Sequence, residues 1–224
     1  MSNIWYLSPS NQSTNIGVGY YGTEKEQMNL LVDAITPHLD RAGVSFHVGD
    51  PDITIQQRVK ESNNLGAKFH LALHSNAGGK GQARGPVAYY YSETGKIFSE
   101  KIAAALLALG QENNRWTNTK QETEFYELKK TTSPACLLEV DFHDSLSGVE
   151  FIATRRAEIA QAIARVIIET DGKTFVPETP GEITDQAVKL GLFDAGTKWS
   201  DPMTKKDAAI LAVRLYNRLK EVSS

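Results

Sequence analysis

Apolar and polar positions along this chain switch repeatedly between a period of two and a period near 3.6, and the switches mark out alternating strands and helices. Ile4-Trp5-Tyr6-Leu7 is a short apolar strand closed by Ser8-Pro9-Ser10-Asn11, and a polar, glycine-dotted loop follows to Gly22. Thr23 and Glu26 then read as the N-cap and N3 residues of a capping box. The helix they open carries Met28, Leu31, Val32, Ile35 and Leu39 as its apolar stripe. Val44 to Val48 alternates as a strand, residues 53–63 read as a helix, and Lys68 to His74 is a second clear strand, stopped by Ser75-Asn76-Ala77-Gly78-Gly79. Pro86 to Tyr91 is another strand, 95–109 an amphipathic helix, 135–141 a buried strand and 151–168 a long helix.

Strands alternating with helices predict an α/β fold, with a parallel or mostly parallel sheet covered by helices on both faces. Residues 171–181, with Thr174, Pro177, Thr179 and Pro180, lack periodicity and form the expected domain boundary. The chain therefore divides into a domain over 1–173, a linker over 174–182 and a small all-α unit over 183–224. That unit reads as two helices, 183–190 and 205–219, the second capped by Thr204 with Asp207 at N3.

Composition narrows the function classes. With 224 residues, 41% of them hydrophobic, the chain can build a core without disulfides. A net charge of -3 argues against nucleic acid as the main partner. Cys136 is the only cysteine, which excludes an intrachain disulfide and a thiolate metal cluster; it sits in an apolar strand and reads as a buried inert thiol. The start, Met1-Ser2-Asn3-Ile4-Trp5, has no basic region and no long apolar run, so neither a signal peptide nor a membrane span is expected, and synthesis in the cytoplasm is.

In an open α/β sheet, ligands gather beyond the carboxyl ends of the strands. Asn11 and Gln12 follow the first strand there, Glu24 opens the next helix, His74 closes the second clear strand, and Glu139 and His143 lie at the end of the last strand. A carboxylate and an imidazole at one mouth are suitable zinc ligands, and a further carboxylate could take a proton from a water. Glu24 also suits the positive end of a helix dipole. Glu139, among Leu137, Leu138 and Val140, would be a costly buried charge without a functional reason.

The segments themselves are more specific. Leu71-Ala72-Leu73-His74-Ser75-Asn76-Ala77 resembles the histidine motif of the zinc-dependent N-acetylmuramoyl-L-alanine amidases, the type 3 amidase family. Pro134 to Phe142 resembles that family's last motif, where an apolar strand delivers a catalytic glutamate, here Glu139. Arg58, Asn63 and Glu24 fall where the family has an arginine, an asparagine and a ligand glutamate. Leu7-Ser8-Pro9-Ser10-Asn11-Gln12 looks like a variant turn of phage endolysins. The likeness spans about Ile4 to Ile168.

The resemblance implies a peptidoglycan hydrolase that cuts between N-acetylmuramic acid and L-alanine. It implies Zn²⁺ held by Glu24 and His74, Glu139 as base, and Asn11, Gln12, Asn76 and His143 around the substrate. It departs at one place: the ligand histidine usual after the first strand is absent. Asn11 or Gln12 could supply an amide oxygen, and His143 is the other stand-in; His70 lies four residues before His74 and is set aside as too distant along the strand. A metal-poor relative that grips peptidoglycan without cutting it is the alternative. A serine or cysteine hydrolase is disfavoured, since no G-x-S-x-G elbow is present. Residues 187–193 and 199–209 resemble one S-layer-homology-like repeat, which implies attachment to a secondary wall polymer, homo-oligomerisation or simple packing. A cytoplasmic product acting on the wall after release fits a phage or prophage endolysin.

Overall fold

The computed structural model describes residues 2–78, 81–111, 114 and 117–177. The chain divides into two units, Met1–Val176 and Pro177–Ser224. The helices expected over 183–224 lie outside the described residues.

Strands β1 (Trp5–Pro9), β2 (Phe46–Val48), β3 (Phe69–Asn76), β4 (Val87–Tyr90), β5 (Thr119–Gln121) and β6 (Ala135–Phe142) form one six-stranded sheet in the order β2-β1-β3-β6-β4-β5. Every neighbouring pair is parallel except β4 and β6, which are antiparallel. The helices are α1 (Glu24–Arg41), α2 (Ile55–Asn64), α3 (Glu93–Leu107), α4 (Tyr126–Lys130), α5 (Leu146–Thr154) and α6 (Arg156–Thr170). The α/β fold with a mostly parallel, helix-flanked sheet is the one the periodicity predicts.

Local signals place the helix starts. Gly22 takes φ +80, a left-handed turn that leads into the cap. Thr23 and Glu26 form the full reciprocal capping box, and Thr54 with Gln57 repeats it at α2. Met28, Leu31, Val32, Ile35 and Leu39 are all buried.

Strand alternation gives the sheet two unlike faces. Trp5, Leu7, Leu71, Leu73, Cys136, Leu138 and Val140 belong to a large apolar core shared with α1, α3 and α6. Burial there pushes the Cys136 thiol up to about 12, as expected of an inert thiol. The opposite face carries a small cluster of Ala72, Leu128, Ala135 and Leu137, and otherwise polar side chains: Tyr6, Ser8, His70 and His74, all buried.

Three elements differ from expectation. β5 and α4 are additional. The helix expected over 151–168 is two helices, broken at Arg155, whose backbone leaves the helical region at φ -110, ψ 21 while its guanidinium bonds the Leu109 carbonyl. Among the described residues, no helix is long and apolar enough to cross a membrane.

Candidate active site

The carboxyl ends of β1, β3 and β6 meet at one edge. Ser10 N–H bonds the Leu73 carbonyl at 2.9 Å, and the β3–β6 register sets His74 directly opposite Glu139. Paired residues of neighbouring strands share a face, so these two side chains share the polar one. Just beyond, the register shifts between His74 and Asn76, because β6 has an extra residue there.

Glu24, the first residue of α1, is fully buried. Its Oε1 lies 2.8 Å from His74 Nδ1. Gln12 brings its amide to the same point, with Nε2 3.3 Å from His74 Nδ1 and 3.5 Å from Glu24 Oε1. Asn15 Nδ2 donates to Gln12 Oε1 at 2.6 Å and to Glu24 Oε2 at 2.8 Å, bracing both. Burial opposes the Glu24 charge, but His74 and the hydrogen bonds of Asn15 and Ser10 outweigh that and hold the carboxyl below its usual range.

Glu139 keeps partial exposure, yet its Oε2 is enclosed and has no hydrogen-bond partner. Burial, with a further push from Glu24 against a pull from His74, raises this carboxyl to about 7. A cavity of about 210 Å³ opens over it, lined by Gln12, His74, Glu127 and Glu139 and flanked by Phe125 and Tyr126.

Glu127 is a site residue that sequence reasoning misses. It sits on five-residue α4 and is 2% exposed, with Oε1 accepting from Ser8 Oγ at 2.5 Å and lying 3.2 Å from His70 Nε2. The available signal was His70 itself. Residues i and i+4 of a strand share a face, so His70 and His74 form a buried histidine pair that calls for a carboxylate.

Of the three stand-ins for the missing histidine, His143 and Asn11 are not brought to this cluster. Ser75 points opposite to His74, and His143 follows Ser75: its Nδ1 lies 2.7 Å from the Ser75 carbonyl and 3.0 Å from Ser75 Oγ, with Tyr21 stacked alongside. Asn11 Nδ2 is turned away to the Ile53 carbonyl at 3.0 Å. Asn76 Oδ1 caps the Ala77 N–H at 2.8 Å and the residue lines a separate groove with Tyr89 and Lys120. Gln12, weighed both as a substrate-side residue and as an amide ligand, stands beside Glu24 and His74. Arg58 is buried and bonds the Pro9 carbonyl, and Asn63 ties α2 to Lys130 and Thr132.

The donor set fits a zinc ion. Among the described residues no three His, Cys, Asp or Glu side chains converge as a metal site. Neighbouring ligands of tetrahedral zinc stand about 3.3 Å apart. Glu24, His74 and Gln12 already cluster at 2.8, 3.3 and 3.5 Å, and turning over the Gln12 amide would offer its oxygen.

Several known proteins resemble this chain. The sporulation-specific N-acetylmuramoyl-L-alanine amidase of Bacillus subtilis (strain 168) is 25% identical over 174 residues, covering 71% of this chain and 63% of that protein. The N-acetylmuramoyl-L-alanine amidase CwlM of Bacillus licheniformis is 24% identical over 169 residues, covering 71% and 64%. The chain thus spans less than two thirds of the length of either relative. The catalytic domain of CwlV, an N-acetylmuramoyl-L-alanine amidase from Bacillus (Paenibacillus) polymyxa, has the same fold, with a TM-score of 0.66 at 21% identity over 75% of this chain and 98% of that one. The family profile described as N-acetylmuramoyl-L-alanine amidase matches residues 11–169, which is most of the chain, and the protein belongs to that family.

Proposed function

We propose that this protein hydrolyses the amide between N-acetylmuramic acid and L-alanine in bacterial peptidoglycan. The observation that carries the reading is the unpaired Oε2 of Glu139 at the floor of a cavity, in register with His74 and its partner Glu24. Glu24, His74 and Gln12 would hold Zn²⁺. Zinc bound there supplies carbonyl polarisation and a water acidified toward neutrality. Glu139 accepts the proton of the attacking water and returns it to the departing L-alanine nitrogen; a carboxyl near 7 suits both steps. Asn15 braces both Gln12 and Glu24 through its amide N–H₂. Phe125 and Tyr126, partly exposed at the rim, present apolar ring surface to the sugar or the peptide stem.

Two finer readings go with this, and one rival stands against it. The Leu7–Gln12 turn supports a phage or prophage endolysin, acting on the wall after release from the cytoplasm where it is made. The S-layer-like pattern of 187–209 supports a C-terminal hold on a secondary wall polymer or on a second copy of the chain. The lost imidazole at position 11 favours the other reading, a relative that binds peptidoglycan without cutting it.

Incubation with purified peptidoglycan decides between cutting and gripping. New L-alanine amino termini, released with zinc and absent after chelation, are expected. Sedimentation with the wall without any release would establish the binding protein.

A further inference from the structure

Beside the residues that would hold the ion, and reaching the cavity wall at Glu127, lies a buried chain of polar groups that the reaction as described does not use. Glu127 is its centre. Its Oε1 is pinned by Ser8 Oγ of β1 at 2.5 Å and lies 3.2 Å from His70 Nε2 of β3. His70 Nδ1 lies 3.1 Å from Ser62 Oγ of α2, and the ring stacks on Tyr6 with centroids 5.0 Å apart. Asn63 of α2 clamps the main chain just after α4, bonding the Lys130 carbonyl at 2.9 Å and the Thr132 N–H at 2.8 Å. Four elements therefore hold one carboxylate whose charge, so deep in the protein, costs stability unless it is used.

The free oxygen of that carboxylate shows the use. Glu127 Oε2 stands 3.6 Å from His74 Nε2, an atom that is buried and has no hydrogen-bond partner. The other ring nitrogen, Nδ1, is the one at Glu24 and Gln12. An imidazole that gives Nδ1 to a metal must carry its proton on Nε2, and a carboxylate facing Nε2 selects that tautomer and fixes the ring plane. The 3.6 Å gap is a few tenths of an ångström beyond a hydrogen bond, a movement within reach of side chains on an ion's arrival.

We propose that Glu127 is the positioning carboxylate of His74: it receives the Nε2–H, presents Nδ1 to the metal, and is itself oriented by His70 and Ser8. The proposal rests on the zinc reading above and adds a residue outside the ligand set.

The test uses Zn²⁺ as the probe, the full-length chain, and a chromophoric chelator in competition. Glu127→Gln keeps the shape but turns an amide N–H₂ toward His74 Nε2, which favours the wrong tautomer. Zinc affinity is expected to fall 10–100-fold, as for loss of other carboxylates behind ligand histidines. Imidazole nitrogen NMR on the zinc-loaded chain should show His74 Nε2 protonated and hydrogen-bonded to a carboxylate in the parent, with the Nε2–H resonance displaced in the variant as that acceptor is lost. Glu127→Asp, which keeps the charge one methylene short, should lose less affinity than Glu127→Gln, and it carries the test if the glutamine variant does not fold. A folded Glu127→Gln that binds zinc as tightly as the parent, with the His74 Nε2–H resonance unchanged, overturns the positioning role and leaves the zinc reading standing. A parent chain that takes up no zinc overturns both.

Discussion

The two faces of the sheet are built from the same strands and do opposite things. On one, Trp5, Leu7, Leu71, Leu73, Leu138 and Val140 merge with α1, α3 and α6 into a continuous apolar core. On the other, one residue along each strand, Ser8, His70, His74 and Glu139 stand with Glu127 beneath short α2 and α4. The first face contributes the stability, since each fully buried large aliphatic side chain is worth about 1.5–3 kcal/mol. The second spends some of it on carboxylates and imidazoles whose desolvation only a ligand or a mutual pairing offsets. A period of two lets one sheet do both, because neighbouring residues never share a side.

If the division holds, changes on the two faces should have separable effects. The largest is expected from metal removal: a chelator should abolish release of L-alanine termini and zinc should restore it, while the fold, carried by the apolar face, survives. Full activity in a preparation shown to be metal-free would end the zinc mechanism. Glu139→Gln should lower turnover about 10²–10⁴-fold. Its thermal stability in the metal-free state at about pH 8 should rise, by on the order of 1 kcal/mol, because a carboxyl raised to about 7 is ionised there at a cost. A variant that is both slower and less stable would show that Glu139 belongs to the framework. On the other face, Leu73→Ala should destabilise by about 2–5 kcal/mol in denaturant titrations, with turnover per folded molecule nearly unchanged.

The smallest effect is a slope. Burial would lower the His74 pKa, but Glu127 and Glu24 raise it from 6.5 to about 10 in the metal-free protein. That stabilisation is complete below about 6.5 and is lost as pH rises through about 10. Glu139, raised from 4.5 to about 7, acts with the same sign between those values. Glu127 and Glu24, both lowered, act oppositely and cost stability as pH falls below the ordinary 4.5. The melting temperature of the metal-free chain should therefore peak on the mildly acidic side and decline toward pH 10. A flat profile across that range would mean the polar face is not electrostatically coupled.

Much of the fold was legible because its elements carry strong local signals. The Thr23–Glu26 box and the Met28-to-Leu39 stripe place α1 without reference to anything else. Thr119–Gln121 has no apolar alternation and is held only by pairing with β4, so nothing local marks it as a strand. Tyr126–Lys130 is too short for a helical period to register. The 151–168 stretch is periodic throughout, so nothing local marks its break at Arg155, whose guanidinium bonds Leu109, far away in sequence. In the site, Glu24, His74 and Glu139 could be read because each ends or begins a predicted element. Glu127 could not, since its neighbours form no pattern and its meaning lies in partners 57 and 119 residues away. His143 lies at Ser75 and not beside His74, because nearness to a strand end does not say which face a side chain takes.

The shortness of β2 and β5 has a consequence of its own. Both margins of the sheet are three-residue strands, Phe46–Val48 and Thr119–Gln121, and Lys120 sits in the middle of one of them. A strand so brief offers a passing chain few free amide and carbonyl groups, and a lysine there resists a second sheet docking alongside. Copies of this domain can thus be crowded together without zipping edge to edge into aggregates, a hazard that rises steeply for any protein concentrated on a solid polymer.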